Sequence, residues 1–173
     1  MKPNADEYAD FYKNYIQLVP EVDFRHALVD TGAELVKMFR HHETNVAISD
    51  YKYAEDKWTV AQVLLHLIDS ENVFVNRALW AARGAVDELP GFDHNAWVVN
   101  NPPVDETVSD IIQWFRIQRQ NTVLFFDHVN EEKLTNRVVA NNAEFTVRSL
   151  AFIIAGHTRH HANILRERYL NAQ

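Results

Sequence analysis

"FTVRSLAFIIAGHTRHHANILRERY", residues 145–169, predicts a long helix with one apolar face. Apolar side chains recur in it every three or four residues, which is the spacing of one face of a helix in a bundle. His157 and His161 share that face with Leu150 and Ile154. Because the ring nitrogens of a buried histidine need polar partners, this pattern raises the question of what the two imidazoles contact inside the protein.

Three other long segments have the same periodicity. Together with the last one they predict four helices, at residues 22–42, 59–83, 107–129 and 146–168. A shorter periodic segment at residues 8–19 ends before Pro20 and is expected to pack outside the bundle. The predicted fold class is therefore all-α, a four-helix bundle with a short extra N-terminal helix, in a single domain over residues 1–173.

Residues that cap or end helices stand at the predicted boundaries. The predicted N-caps and their partners are Thr59 with Gln62, Thr107 with Asp110, and Thr146. Gly84 is a natural stop for the second long helix. The link over residues 84–106 has a length that is often found in functional lids. Asn141 and Asn142 predict a short β-hairpin between the third and fourth long helices.

Composition and charge exclude several classes of protein. The net charge of −7 argues against a nucleic-acid or anionic-membrane partner. The absence of cysteine excludes disulfides, thiolate metal sites and a cysteine nucleophile. HExxH, P-loop and GxGxxG motifs are also absent, as is the Glu-x-x-His of di-iron bundles. No apolar segment has the pattern of a secretory signal peptide or the length of a membrane-spanning helix, so a cytoplasmic location is expected.

His157 and His161 are one helical turn apart and can share a metal ion. His66, on an apolar face of the second long helix, is the best third ligand. In a simple up-and-down bundle the second and fourth helices lie diagonally, so their inward residues converge on the axis. Three neutral imidazoles leave coordination positions free, which is typical of a reactive site. The alternative is three core histidines whose hydrogen bonds are satisfied without a metal.

The other histidines are weaker candidates for metal ligands. Four of them are predicted at the surface or at helix ends: His26, His41, His42 and His128. His160 can hydrogen-bond to the metal ligands or be partly exposed, and the sequence does not decide between these. His94, in the long link, is a candidate for the mouth of the site.

Two charged residues on the second long helix are candidate helpers. Asp69 can orient the His66 imidazole or become a further ligand, but a solvated carboxylate is an equal alternative. Arg77 lies on the His66 side of the helix and can hold an anionic substrate group. The more ordinary use of such an arginine is a surface ion pair.

The sequence resembles the DinB-like four-helix metalloenzymes, named for damage-inducible bacterial proteins. The resemblance covers nearly the whole chain and is carried by "NYIQLVPEVDF", "YKYAEDKWTVAQVLLHLIDSE", "RALWAARG", "LPGFDHNAWV" and above all "LAFIIAGHTRHHANILRERY". The HxxHH arrangement after a small residue is the most specific part. Asn72 and Asn76 depart from the family pattern, which often has an arginine and an aromatic residue there.

The resemblance implies a mirror variant of the up-and-down bundle, often dimeric, so a homodimer is expected. It also implies a divalent metal ion, nickel or zinc in most cases, held at the positions of His66, His157 and His161. The two departures leave these ligands intact but put any inherited substrate preference in doubt.

Two reactions suit such a site: hydrolysis by an activated water, and transfer of a small thiol. Family relatives include thiol-dependent S-transferases, so a low-molecular-weight thiol is a candidate co-substrate besides a small-molecule substrate. The candidate substrate or outer contacts are Asp69, Arg77, Asp93, Trp97 and His160. The alternative is a non-catalytic metal-binding stress-response protein. An enzyme should have a pocket beyond the metal, lined by loop residues such as Phe92, Asp93 and Trp97.

Overall fold

The computed structural model describes residues 1–41, 46–85, 87–103 and 106–170. The helices are α1 (Lys13–Gln17), α2 (Phe24–Phe39), α3 (Val60–Ala82), α4 (His94–Asn100), α5 (Val108–Asp127) and α6 (Val147–Ile164). Single 3-10 turns occur at Ala5–Glu7, Asp10–Tyr12, Val46–Ile48 and Glu131–Lys133. A π-helix, Leu165–Leu170, continues α6. The only strands among the described residues, β1 (Arg137–Ala140) and β2 (Ala143–Thr146), pair antiparallel. The predicted four-helix bundle is confirmed.

The predicted helix starts are set by their own side chains. Capping boxes begin α3, α5 and α6, with Thr59, Thr107 and Thr146 as the N-cap residues. In each box the threonine hydroxyl accepts a hydrogen bond from a backbone N–H of the first turn, which would otherwise lack a partner. Gly84 follows α3 with φ +73°, the left-handed conformation that glycine adopts at low cost.

The order of helices around the bundle differs from a simple up-and-down bundle. Both α2 and α3 pack chiefly against α5 and α6. The two pairs of consecutive long helices, α2 with α3 and α5 with α6, are therefore the diagonal pairs. The expectation that the second and fourth long helices are diagonal is wrong, because α3 and α6 are neighbours. Residues on facing sides of α3 and α6 thus meet without crossing the bundle axis.

The N-terminal segment packs directly on α6. Its helical part, α1, is shorter than predicted; Ile16 within α1 and Val19 after it are buried. The backbone of this segment approaches α6 at Gly156, where a Cβ would lie 2.0 Å from the carbonyl oxygen of Tyr15. Only glycine leaves room for that contact. The absence of a side chain at Gly156, directly before His157, therefore allows the N-terminal segment to pack against the turn of α6 that carries the histidines.

The hairpin and the long link lie together. Asn141 and Asn142 have φ values of 53° and 58°, as the predicted two-residue hairpin turn requires. The Leu89 N–H donates to the carbonyl oxygen of Val139 at 2.9 Å, and the Asn141 N–H donates to that of Leu89 at 3.1 Å. These bonds fix the start of the link beside the hairpin. The link also contains the short helix α4, which was not among the predicted elements.

None of the helices in the described part of the chain is long and apolar enough to cross a membrane.

A buried ion pair anchors the first turns of the chain. Arg148 Nε donates to Glu7 Oε2 at 2.7 Å, and its Nη2 donates to Oε1. The Thr146 hydroxyl and the Asn4 N–H also donate to the same carboxylate, at 2.8 and 2.9 Å. Burial opposes ionisation of Glu7, but these hydrogen bonds outweigh it and hold its pKa at about 2.

We expect Glu7→Gln to destabilise the protein in a pH-dependent way. Because the folded-state pKa lies below the unfolded-state value, the ionised carboxylate stabilises the fold above pH 4.5, and this is lost as the pH falls towards 2. The shift corresponds to roughly 3 kcal/mol at pH 7 and about half of that at pH 3. Urea unfolding of both proteins at the two pH values measures this. A stability difference that stays the same at pH 7 and pH 3 would rule out this role for the Glu7 charge.

Candidate metal centre

Three histidines converge between the neighbouring helices α3 and α6. The Nε2 atoms of His66 and His157 are 3.1 Å apart. The ring centroid of His161 lies 4.9 Å from that of His66 and 4.7 Å from that of His157. One nitrogen from each ring lies within 4.8 Å of the others. Because zinc–nitrogen bonds of about 2.0–2.1 Å in a tetrahedral site place two ligand nitrogens about 3.4 Å apart, small ring rotations suffice for all three to hold one ion.

The environment keeps these imidazoles in the form that binds metals. Burial, together with smaller effects of the neighbouring His94 and His160, lowers the pKa of His66 to about 4. Burial and the adjacent histidines also hold the pKa values of His157 and His161 well below 6.5. All three rings are therefore neutral at pH 7 and can offer a lone pair without first losing a proton.

Ser70 supports the orientation of His66. The Ser70 hydroxyl oxygen lies one helical turn farther along α3, 3.4 Å from Nδ1 of His66. An N–H at Nδ1 can donate to it, which leaves the lone pair of Nε2 available for a metal ion. This contact was open to sequence reasoning, since a serine four residues after a histidine on a helix lies on the same face.

A cavity of about 510 Å³ opens over the three histidines. Aromatic side chains form much of its wall, from the N-terminal segment, α3 and the loop before it, and the long link: Phe11, Tyr12, Tyr15, Trp58, Phe74 and Phe92. The ring centroid of Trp58 lies 5.0 Å from that of His66, and the ring centroid of Phe74 lies 6.0 Å from that of His157. The open side of the histidine cluster therefore faces a space that can hold a small molecule.

Two further histidines lie in the cavity. The His94 ring is 5.6 Å from that of His66, so the residue lies at the mouth of the site, as its place in the long link suggested. The His160 ring is 5.0 Å from that of His161 and 5.4 Å from that of Tyr15. His160 is half-buried, and burial lowers its pKa. Outside the site, His26, His41 and His128 are exposed as predicted, and His42 lies outside the described residues.

Arg77 differs most from its expected setting. It is buried, with only 3% of its surface exposed, so the expected surface ion pair is wrong. Its guanidinium carbon lies within 6.0 Å of the ring centroids of Phe74, Phe92 and Phe145. Its Nη2 donates to the Pro90 carbonyl oxygen at a long 3.5 Å, and its Nε has no hydrogen-bond partner. Arg77 borders the histidine cavity.

The remaining candidate residues lie away from the histidines. Asp69 borders a second groove together with Asn72, Asn76 and Trp97, and burial raises its pKa. The contact to His66 that was considered for Asp69 belongs to Ser70. Asp93 is the N-cap of α4 and accepts from the N–H groups of Asn95 and Ala96. Trp97 packs its ring 4.9 Å from that of Phe92.

Comparisons with known proteins agree with this fold. YfiT from Bacillus subtilis, described as "a probable metal-dependent hydrolase with an unusual four-helix bundle topology", is 16% identical. Its TM-score is 0.67, and the match covers 99% of this chain and 93% of YfiT. YjoA, a DinB-like protein from Bacillus subtilis, is 15% identical with a TM-score of 0.50 and matching shares of 95% and 92%. At these identities the likeness concerns the fold. No curated protein sequence matches the chain.

A sequence model of the DinB superfamily matches residues 27–165. This range includes the three converging histidines and all four long helices, apart from the first residues of α2. The chain belongs to the DinB superfamily.

Proposed function

We propose that His66, His157 and His161 bind one divalent metal ion and that the protein is a metal-dependent enzyme acting on a small molecule. The observation that carries this proposal is the convergence of three neutral imidazoles at the wall of a 510 Å³ cavity. Nitrogen ligands of this kind suit zinc and nickel. When bound, the ion supplies Lewis acidity, which lowers the pKa of a coordinated water or thiol.

The protein's own groups suit a reaction at this site. Trp58 and Phe74 flank the histidines and give the site apolar walls. His94 and His160 can exchange hydrogen bonds with a substrate in the cavity. The cavity favours an enzyme over the non-catalytic stress-response alternative, because a protein that only stores metal needs no such space. Phe92 lines it as expected, whereas Asp93 and Trp97 do not.

Hydrolysis and thiol transfer are the two candidate reactions. Hydrolysis agrees with the description of YfiT. Thiol transfer agrees with a chain that has no cysteine and would borrow its thiol from a co-substrate. Homodimer formation and a cytoplasmic location stay predictions.

A two-arm assay tests the proposal. Zinc- or nickel-loaded protein is incubated with a panel of esters and amides, and separately with an aryl halide plus a small thiol. We expect product in one arm, with a turnover that falls at least about 100-fold in His161→Ala, because removing a ligand removes several kcal/mol of transition-state stabilisation. His128→Ala, a change at an exposed histidine, is the matched control and should keep full activity. Loaded protein that turns over neither panel would favour the non-catalytic alternative.

A further inference from the structure

Arg77 is a buried cation that lacks the counter-ion its environment demands. The other buried or half-buried arginines with described side chains all pair with carboxylates: Arg25 with Asp127, Arg119 with Glu71, Arg148 with Glu7, and Arg159 with Glu21 and Glu34. In the described part of the chain no carboxylate forms an ion pair with Arg77, and its Nε has no hydrogen-bond partner. A buried charge without a partner is strongly destabilising, and nearby aromatic rings offset only part of that cost.

The position of Arg77 relates it to the histidines. It follows His66 by eleven residues on α3, which is three turns along the same face. Helical side chains lean towards the N-terminus of their helix, so Arg77 leans towards His66. Phe74 lies between Arg77 and the histidines: its ring centroid is 5.8 Å from the Arg77 Cζ and 6.0 Å from the centroid of the His157 ring. Arg77 and the histidines border one cavity, separated by an apolar surface.

The cavity selects for a negatively charged ligand. Among its described lining residues Arg77 is the only one that is always charged, and none is a carboxylate. Arg77 also borders the second groove, but Asp69 lines that groove, and its carboxylate repels an incoming anion when ionised. An anion therefore reaches Arg77 more favourably from the histidine side.

We propose that Arg77 binds a carboxylate of the substrate or co-substrate, while the other end of that molecule lies at His66, His157 and His161. A single guanidinium in an aromatic setting matches the single charge and planar shape of a carboxylate better than a dianionic phosphate. The ligand is accordingly a small carboxylic acid with an apolar middle that packs on Phe74. The assignment of the reactive end rests on the proposed metal function, whereas the carboxylate site itself does not.

Two matched pairs of probes test this. Hexanoate and hexanamide are titrated calorimetrically into protein treated with a chelator, and 6-mercaptohexanoate and 6-mercaptohexanamide into zinc-loaded protein. We expect each carboxylate to bind at least about tenfold more tightly than its amide, from charge-assisted hydrogen bonds. Arg77→Met should bring both ratios to about one without weakening amide binding. Arg83→Met, at an exposed arginine that ends the same helix, should leave them unchanged.

The outcomes separate this proposal from the metal proposal. Equal affinity for carboxylate and amide in the wild type, or a preference that survives Arg77→Met, overturns the role of Arg77. A preserved preference for hexanoate in a protein that binds no zinc keeps that role and refutes the metal site. Loss of fold in Arg77→Met contradicts the proposal too, because removing a buried cation without a counter-ion should leave the ligand-free protein at least as stable; circular dichroism melting measures this.

Discussion

Glu71→Ala should lower the free energy of unfolding by about 3–5 kcal/mol, the largest loss that we expect from a single substitution outside the proposed metal ligands. The Glu71 carboxylate accepts from Arg119 Nε and Nη2 at 2.9 and 2.8 Å, and from the Thr122 hydroxyl at 2.6 Å. The side chains of Arg119 and Glu71 are only 6% and 2% exposed. The substitution leaves a guanidinium charge buried without a carboxylate.

The same arginine joins all four long helices. From α5 its Nη1 donates to the Leu28 carbonyl oxygen and the Thr31 hydroxyl of α2, at 2.7 and 3.1 Å. Its Nη2 also donates to the Thr158 hydroxyl of α6 at 2.8 Å. Glu71 follows Ser70 on α3, and Thr158 follows His157 on α6. This network therefore fixes the two turns that present the site.

Urea unfolding distinguishes the loss of an ion pair from the loss of packing. Glu132→Ala, at an exposed glutamate, is the control and should change stability by less than about 0.5 kcal/mol. The double variant Glu71→Leu with Arg119→Met removes both charges and should recover much of the loss, since replacing a buried pair by apolar side chains is often neutral. If Glu71→Ala is as stable as the wild type, the ion pair between Glu71 and Arg119 does not contribute to the stability of the fold.

His157→Ala should remove most of the stabilisation by metal. A ligand that binds only the folded state at 1,000 times its Kd stabilises that state by about 4 kcal/mol. If the affinity of zinc is shared about equally among its ligands, losing one costs roughly 3 kcal/mol, or about 100-fold in Kd. We therefore expect zinc or nickel to raise the Tm of the wild type by several degrees and that of His157→Ala by far less.

The control separates the three ligands from the other cavity histidines. His94→Ala changes a histidine at the cavity mouth and should retain most of the metal-dependent rise in Tm. His66→Ala and His161→Ala should lose it as His157→Ala does, because all three nitrogens belong to one group. An equal rise in Tm for the wild type and His157→Ala would place the ion elsewhere.

Local features of this fold were predictable because they depend on neighbouring residues. The threonines that begin α3, α5 and α6 bond to backbone groups within their own first turns. Asn141 and Asn142 accept positive φ at a hairpin turn for a similar reason. The spacing of His157 and His161 also fixes their common direction without reference to the rest of the fold.

Other features depend on parts of the chain that are distant in sequence. Periodicity does not fix which helices are neighbours, and so the adjacency of α3 and α6 differs from the expected diagonal. The aromatic surroundings of Arg77 combine residues of α3, the long link and β2. The packing of the N-terminal segment on Gly156 likewise joins residues far apart in the chain. The burial of Arg77 without an ion pair to a described carboxylate therefore could not be predicted from its sequence neighbours.

Metal content is the most direct test of the central claim. Untagged protein, expressed with zinc and nickel supplied and purified without chelators, is analysed by inductively coupled plasma mass spectrometry beside His157→Ala. We predict close to one zinc or nickel ion per chain in the wild type and a small fraction of that in the variant. A wild-type protein that is folded and contains no divalent metal, or a variant that retains the full amount, would contradict the assignment of His66, His157 and His161 as the metal site.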